Sequence, residues 1–480
     1  MLKLLKILIE VTLLYKVLNF ILLIIQLIIQ WFKPSFSIPR YESSWLKKLS
    51  KKSPYIKRLI SNVHFGVVIC LVLLYFHNVT VLSELEETAF DWVLNIAKGE
   101  PPSEPTLTYA FLNVDELTYR HLDEPFYMPR ESITELIDFS LSANPLLIFV
   151  DFLIDKPGGD SEADVALYDY VLNYSPGAPP LIFARSFRSS IDSSEILAEV
   201  RPSYLDSAVK ENKNVYWASP SFYKDADQVV RRWQLWTPAF SEDTTRLVPS
   251  VQFSTLSLLA KLKDKNNKGE KRSEALFNRY SEEAKRLTNN YRQEVHANPL
   301  RQKIVYTLPW EGGGIPLVRN YTGSQVPLVR THNALPILKN QGEIDNSWLQ
   351  NRVVILGATY ADNRDSYLTP IGEMPGSYVL FNAINSLWQY GEIRTPPLIV
   401  KIAIEVALII FVSACFALMP GTPGAIISFF FIAALLVPVS FKLLSLGIWV
   451  DFALPLFSVQ LHHMVEEFKH SFLKIYTKNL

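Results

Sequence analysis

The sequence predicts an α/β domain, a mostly parallel sheet with covering helices, carried outside a membrane by α-helical transmembrane segments. Three observations lead there. Apolar stretches of about 20 residues, the length a bilayer core asks of one helix, fall at 63–82 and again from 398 onward. Between them lies a polar block of about 315 residues, which must sit wholly on one side of the membrane. Within that block, short and nearly continuous apolar runs alternate with helical patterns, as strands buried on both faces do between covering helices.

Composition narrows the function classes. The 480 residues carry a net charge of zero and are 49% hydrophobic, so no global field points to nucleic acid. The two cysteines, Cys70 and Cys415, both lie in predicted spans, and no disulfide is expected in the polar block. That is compatible with a bacterial periplasm, which permits disulfides without requiring them. The apolar run after Lys3 and Lys6 is too long for a cleavable signal peptide and lacks a small-residue cleavage site.

In chain order, residues 1–32 predict an amphipathic or membrane-spanning helix. Val11–Phe32 is long enough to span, yet Lys16, Asn19, Gln26 and Gln30 fall within about 80° on a helical wheel. Such a stripe suits a helix lying in the membrane plane, and equally a span whose amides bond a partner helix. Asn19, Gln26 and Gln30 are therefore candidate partner contacts. Residues 33–62 hold Lys33, Arg40, Lys47, Lys48, Lys51, Lys52, Lys57 and Arg58 against Glu42, a basic excess that marks the cytoplasmic side. The span at 63–82 then delivers residues 83–397 outside.

Spans at 398–419, 425–443 and 447–465 return the chain to a cytoplasmic tail at 466–480, where Lys469, Lys474 and Lys478 agree with that side. Pro420-Gly-Thr-Pro-Gly reads as a tight turn, and Asp451, Pro455, His462 and His463 interrupt the third span. The layout predicts a multi-pass protein of the bacterial inner membrane with its large domain in the periplasm. With so short a tail, cytoplasmic effects are expected to be delegated to other membrane or cytoplasmic protein subunits.

Inside the polar block, strands are expected at Leu107–Val114, Leu146–Phe152, Leu181–Ala184 and Arg352–Gly357, and helices at Glu131–Ser142, Ala163–Asn173 and Tyr378–Tyr390. Residues 261–301, rich in Lys, Glu, Asn and Arg of alternating sign, read as a solvated charged insertion.

Four groups of residues resemble the type-2 CHASE domain, an extracytoplasmic sensory module of bacterial receptors. They are Phe90-Asp91; then Phe111-Leu-Asn-Val-Asp115, Met128-Pro129-Arg130 and Ile148-Phe-Val-Asp151; then Asp225-Ala-Asp227-Gln-Val-Val-Arg231-Arg232; and lastly Arg319-Asn320-Tyr321-Thr-Gly323 with Arg352-Val-Val-Ile-Leu-Gly357-Ala-Thr, Asp365, Pro370, Pro375-Gly376, Asn382-Ala383 and Pro396-Pro397. One span before the domain and three after is also similar to that family's layout. The sequence departs where Leu380-Phe381 replaces a His-Ala, where Tyr127 or Met128 stands for a tryptophan, and where Gln228 stands for a glycine. The resemblance implies a sensor, or a scaffold, without catalytic output of its own.

In an open α/β sheet, ligands sit beyond the carboxyl ends of the strands. Asp115, Asp151 and Asp155 follow two predicted strands, Arg185 follows a third, and Asp362 to Asp365 follow Gly357-Ala-Thr. Arg130 or Arg185 has the chemistry to pair a carboxylate or phosphate there. Asp115, Arg130, Asp151, Arg185, Asp365 and, through the resemblance, Asn382 are the candidate ligand residues for a small extracytoplasmic ligand. The same residues also suit helix caps and mutual ion pairs.

Other constellations are weaker. Asp225 and Asp227 lack the further oxygens of a calcium loop, and Glu311-Gly-Gly-Gly314 lacks the Lys-Ser/Thr of a phosphate cradle. His462, Glu466 and His470 share a helical face that suits either a metal or an interfacial helix. No nucleophile elbow, HExxH or CxxC occurs, so no enzyme, cofactor or metal is expected. Trp31, Trp45, Tyr75, Trp92, Trp388, Trp449 and Tyr476 lie near span ends, as headgroup-level rings do, in contact with membrane lipid. Lys401 and Glu405, one turn apart, read as a snorkelling ion pair or as a contact to a partner helix.

Overall fold

A computed structural model describes residues 54–75, 80–102, 106–189, 198–241, 244–262, 301–311, 314–320, 322–339 and 344–478. Asn19, Gln26 and Gln30, and nearly all of the charged insertion, lie outside the described residues. The chain divides into two compact units, 91–393 and 1–90 with 394–480.

The first unit is built on strands β1 (Tyr109–Val114), β2 (Leu147–Val150), β3 (Leu181–Ala184), β4 (Phe187–Ser189), β5 (Ala198–Val200), β6 (Val215–Ala218), β7 (Phe222–Lys224), β8 (Val230–Gln234), β9 (Trp236–Ser241), β10 (Thr244–Pro249), β11 (Arg301–Lys303), β12 (Leu317–Arg319), β13 (Gln325–Pro327), β14 (Val329–Asn333), β15 (Val353–Ala358), β16 (Ser366–Thr369) and β17 (Gly372–Pro375). Helices α1 (Pro54–Tyr75) and α2 (Thr80–Ala97) precede β1. Then follow α3 (Glu116–His121), α4 (Arg130–Leu141), α5 (Ser161–Leu172), α6 (Asp206–Glu211), α7 (Val251–Leu262), α8 (Leu335–Leu338), α9 (Gly376–Tyr390), α10 (Leu398–Leu418), α11 (Thr422–Leu444) and α12 (Ala453–Lys478).

The central sheet has six parallel strands in the order β14-β1-β15-β2-β3-β6. Every residue of β1, β2 and β15 is buried, which is why these strands read as unbroken apolar runs rather than alternating ones. The period-2 geometry still divides them between two layers. Ala110, Leu112 and Val114 join Ile133, Leu136 and Ile137 of α4, Leu167 and Val171 of α5, and Val354 and Leu356 of β15 in one core. Tyr109 and Phe111 point the other way and pack on Phe381 of α9 at 5.2 and 6.2 Å.

Strand order creates the crevice that matters for function. From β1 the chain runs outward to β2, β3 and β6 on one flank. It later returns along β14 on the other flank and threads β15 between β1 and β2. The carboxyl ends of β1 and β15 therefore lie where the direction of winding reverses, the usual location of a binding crevice in such sheets. Smaller antiparallel sheets, β11-β8-β7 and the hairpins β12-β13 and β16-β17, with the mixed β10-β9-β5-β4, complete the unit.

The second unit holds α1 and α10 to α12. Two described helices are long and apolar enough to cross a membrane, Ile399–Leu418 and Thr422–Leu444, and α1 contains a shorter apolar stretch, Arg58–Leu73. Helix α1, described over Pro54–Tyr75, overlaps the expected span at 63–82, and α12 overlaps the one at 447–465. Helix α12 begins at Ala453 because Asp451 accepts the N–H groups of Ala453 and Leu454, at 2.9 and 3.2 Å, and runs on to Lys478. Gly66 lies so close to Ile409 that an added Cβ would meet its Cγ2 at 3.0 Å, the tight approach that a small residue allows between packed helices.

Candidate functional site

Asp151 follows β2 directly, its own N–H still on the ladder to Leu356 O at 2.8 Å. Ser377, in the first turn of α9, donates its hydroxyl to Asp151 Oδ2 at 3.2 Å. Asp365 stands beside it, its main-chain carbonyl accepting the Gly376 N–H at 2.9 Å and its carboxylate accepting the Tyr367 hydroxyl. Two glycines make this approach possible. A Cβ at Gly357 would meet Ser377 Oγ at 2.5 Å, and one at Gly376 would overlap the Asp365 carboxylate.

Burial pushes both carboxyls above the ordinary carboxylate range, and repulsion from Asp365 adds to the effect on Asp151. Lys224, whose Nζ lies 5.0 Å over the Tyr367 ring, opposes the shift at Asp365. The folded pair thus holds a proton that the unfolded chain releases above about pH 4. Its contribution turns unfavourable as pH rises through that window. Asp151→Asn is accordingly expected to melt higher than the parent at pH 8 and no higher at pH 4.5, followed by thermal unfolding of the full chain in detergent. An equal difference at both values would remove the shared proton from the account.

Asp365 also lines a hollow of about 340 Å³ at the carboxyl end of β15, with Trp310, Thr359, Asn363, Arg364 and Glu373 among its walls. That volume is within the range of small-molecule sites. Asp115 stands on the same sheet edge. It caps α3 by accepting the Thr118 N–H at 2.9 Å and the Thr118 hydroxyl at 2.5 Å, and its other oxygen accepts from Asn333 Nδ2 at 2.7 Å. Behind it, Tyr119 stacks on Tyr360 with ring centroids 3.9 Å apart.

The other candidates are engaged in the protein itself. Arg130 is 2% exposed and donates to Asp164 at 3.2 Å, to Met128 O at 3.2 Å and to Lys156 O at 2.6 Å, fixing the loop after β2. Arg185 grips both carboxylate oxygens of Asp206 and lies 4.7 Å over the Trp217 ring. Asp155 pairs with Arg201 at 3.1 Å. Asn382 is fully buried under the sheet, where Oδ1 accepts the N–H groups of Thr307 and Leu308, both at 2.9 Å. The structure thus brings Asp151 and Asp365 together, keeps Asp115 on their edge, and holds Arg130, Arg185 and Asn382 apart from the hollow.

A second polar centre joins two motif segments 140 residues apart. Arg231 donates to Asp91 at 2.8 and 3.0 Å, to Asp227 at 2.7 and 2.9 Å and to Asp225 at 3.1 Å, while Arg232 donates to Asp225 at 2.6 Å. The Arg231 hydrogen bonds hold the Asp227 carboxyl below its usual range. At the turn itself Gln228 has φ 66°, a left-handed conformation that costs a side-chain-bearing residue about 1–2 kcal/mol. Gln228→Gly relieves that strain against about 0.5–1 kcal/mol of added chain entropy. A rise in stability of roughly 0.5–1 kcal/mol is expected, read from the urea midpoint; a fall would show that the Gln228 side chain contributes more than its backbone costs.

Sequence reasoning did not find Ser377, Tyr367, Trp310 or Glu373. The signal that pointed nearest them was the pair Gly357 and Gly376, small residues at places where no turn requires one. Lys401 is exposed on α10, while Glu405 faces Cys70 of α1, whose Sγ lies 3.6 Å from Oε2. No group of three or more His, Cys, Asp or Glu that could hold a metal occurs among the described residues.

A parallel sheet covered on both faces, with a polar hollow at its winding reversal and helices apolar enough for a bilayer in the same chain, defines a membrane-associated α/β protein. Residues 66–419 match the CHASE2 domain, and the chain belongs to this family of sensory domains. No curated protein and no solved structure matches it.

Proposed function

We propose that this is a non-enzymatic, multi-pass sensor of the bacterial inner membrane, whose CHASE2 domain meets a small ligand in the periplasm. It acts through membrane-helix contacts on a separate membrane or cytoplasmic protein. The observation that carries the reading is the hollow lined by Asp365, on the sheet edge that also bears Asp115, with the paired carboxyl of Asp151 behind it. A ligand acts there by favouring one arrangement of the domain over another. Exposed Lys401 is a candidate for the partner contact, as are Asn19, Gln26 and Gln30.

Extraction from native membrane in mild detergent, followed by mass spectrometry of the intact assembly, is expected to return this chain with at least one other protein and a bound small molecule. A lone chain with neither overturns the proposal.

A second reading, a structural scaffold or accessory subunit that has lost ligand sensing, is favoured by one specific observation. Arg130, Arg185 and Asn382 are all consumed by internal bonds. Removing residues 1–32 separates the two readings: a scaffold docked through that helix loses its partner, whereas a sensor keeps its ligand.

A further inference from the structure

The hollow at the carboxyl end of β15 carries charges of both signs, with acids in excess. Glu311, Asp365 and Glu373 are its carboxylates, Arg364 is its base, and Trp310 supplies an aromatic wall. Arg130, Arg185, Arg231 and Arg352 each donate to protein oxygens, Arg352 to Tyr109 O at 3.0 Å and Pro327 O at 2.8 Å. Arg364 differs. It is exposed, and no hydrogen bond or ion pair holds its guanidinium among the described residues. Its backbone is left-handed, φ 51°, at the end of the short turn Ala361–Asn363, a conformation found at few residues that carry a side chain.

The acids lack a base in the same way. Asp365 accepts the Tyr367 hydroxyl and Asp151 the Ser377 hydroxyl, but no ion pair joins either carboxyl to a Lys or Arg among the described residues. Glu373 Oε1 accepts the Ser366 hydroxyl at 2.7 Å, which leaves its other oxygen for the hollow. These groups lie within the span of one small molecule. Arg364 and Asp365 are consecutive, with Cα atoms about 3.8 Å apart. Glu373 stands across the β16–β17 hairpin, whose strands run about 4.8 Å apart, and is tied to Ser366, the residue after Asp365.

We propose that the hollow takes a cationic amino acid, its carboxylate on Arg364 and its α-ammonium on Asp365, with the second positive charge at Glu373 and the stem against Trp310. The assignment rests on the hollow being the ligand site of the proposed sensor. A carboxylate and an ammonium on one carbon match a base and an acid on consecutive residues, and a guanidinium binds a carboxylate through two parallel hydrogen bonds. The excess of acids over bases selects against an anion and favours a ligand of net positive charge. An aromatic face beside those acids adds to the attraction for a cation.

The test is isothermal titration calorimetry of the full chain in nanodiscs of phosphatidylethanolamine and phosphatidylglycerol at pH 7, with L-lysine and L-arginine as probes. Three analogues of each delete one charge. Cadaverine and agmatine lack the carboxylate, ε-aminocaproate and δ-guanidinovalerate lack the α-ammonium, and norleucine and citrulline lack the side-chain cation. At least one of the two amino acids is expected to bind at one site per chain. Each of its analogues should bind about tenfold or more weakly, the loss expected of one charged hydrogen bond. Arg364→Ala, with an unchanged melting profile, should erase the preference for the amino acid over its decarboxylated analogue. Glu373→Gln should erase the preference over the analogue with a neutral side chain. Binding of neither amino acid, equal affinity for the amine alone, or an unchanged preference in either variant overturns the proposal. The sensor reading fails separately. A native small molecule of another class, retained on extraction, would overturn this assignment alone. A chain that binds these amino acids yet extracts with no other protein would leave the site standing and overturn its coupling to a separate protein.

Discussion

Asn382→Ala is expected to destabilise the domain by about 4 kcal/mol, because it orphans two buried N–H groups and one carbonyl at once. Asn382 Oδ1 accepts from Thr307 and Leu308, and Nδ2 donates to Leu308 O at 2.9 Å. Each buried group left unpaired costs about 1–3 kcal/mol, less what local relaxation recovers. At about 2–4 °C per kcal/mol, the melting temperature of the full chain in detergent should fall by roughly 10 °C. Phe126→Ser, at a side chain 89% exposed, should change little and serves as the control. If Asn382 served a ligand and not the fold, the ligand-free protein would melt unchanged, so a shift of under about 2 °C defeats this assignment.

Arg130→Met should cost a similar amount, about 3–5 kcal/mol, for a different reason. Methionine fills much of the volume of the stem, but Asp164, 6% exposed, loses its counter-charge while keeping the Gly158 N–H, at 2.8 and 2.9 Å to its two oxygens. The carbonyls of Met128 and Lys156 lose their donor as well. Adding Asp164→Asn to that background should recover about 1–2 kcal/mol, since a neutral amide needs no counter-ion. Strict additivity of the two substitutions in chemical denaturation would show that Arg130 and Asp164 do not act as a pair.

These two residues show how motif and mechanism part company. Both were legible as candidates, Asn382 through the family resemblance and Arg130 through its place in Met128-Pro129-Arg130. Yet each is fully occupied inside the protein, where it reads as a requirement of the fold. Asn382, Asn385 and Ser386 all bond the segment at 305–308: Asn385 donates to Thr307 Oγ1 at 3.2 Å, and Ser386 Oγ accepts the Val305 N–H at 2.9 Å. Their spacing at i, i+3 and i+4 on an otherwise apolar helix was visible in the sequence. What they hold was not, because residues 305–308 lie far away in the chain and carry no periodic mark of that docking.

The central strands were readable for the opposite reason. Leu107–Val114, Leu146–Phe152, Leu181–Ala184 and Arg352–Gly357 were expected, and β1, β2, β3 and β15 fall within or across them. Burial on both faces of a parallel sheet writes itself directly into composition. The edge strand β14, Val329–Asn333, escaped because Arg330, Thr331, His332 and Asn333 are polar and only half-buried or exposed.

By itself the sequence determined the fold class, the apolar helices and the family, since each depends on local periodicity, segment length or the order of short motifs. Only the tertiary structure decided which polar residues face the hollow and which bond the protein to itself. The physical reason is range. A hydrophobic pattern is set by neighbours three or four positions away, whereas the partner of a buried polar group is whichever distant backbone or side chain the fold brings to about 3 Å. Asp151 meets Ser377, and Asp91 meets Arg231, through contacts of that second kind.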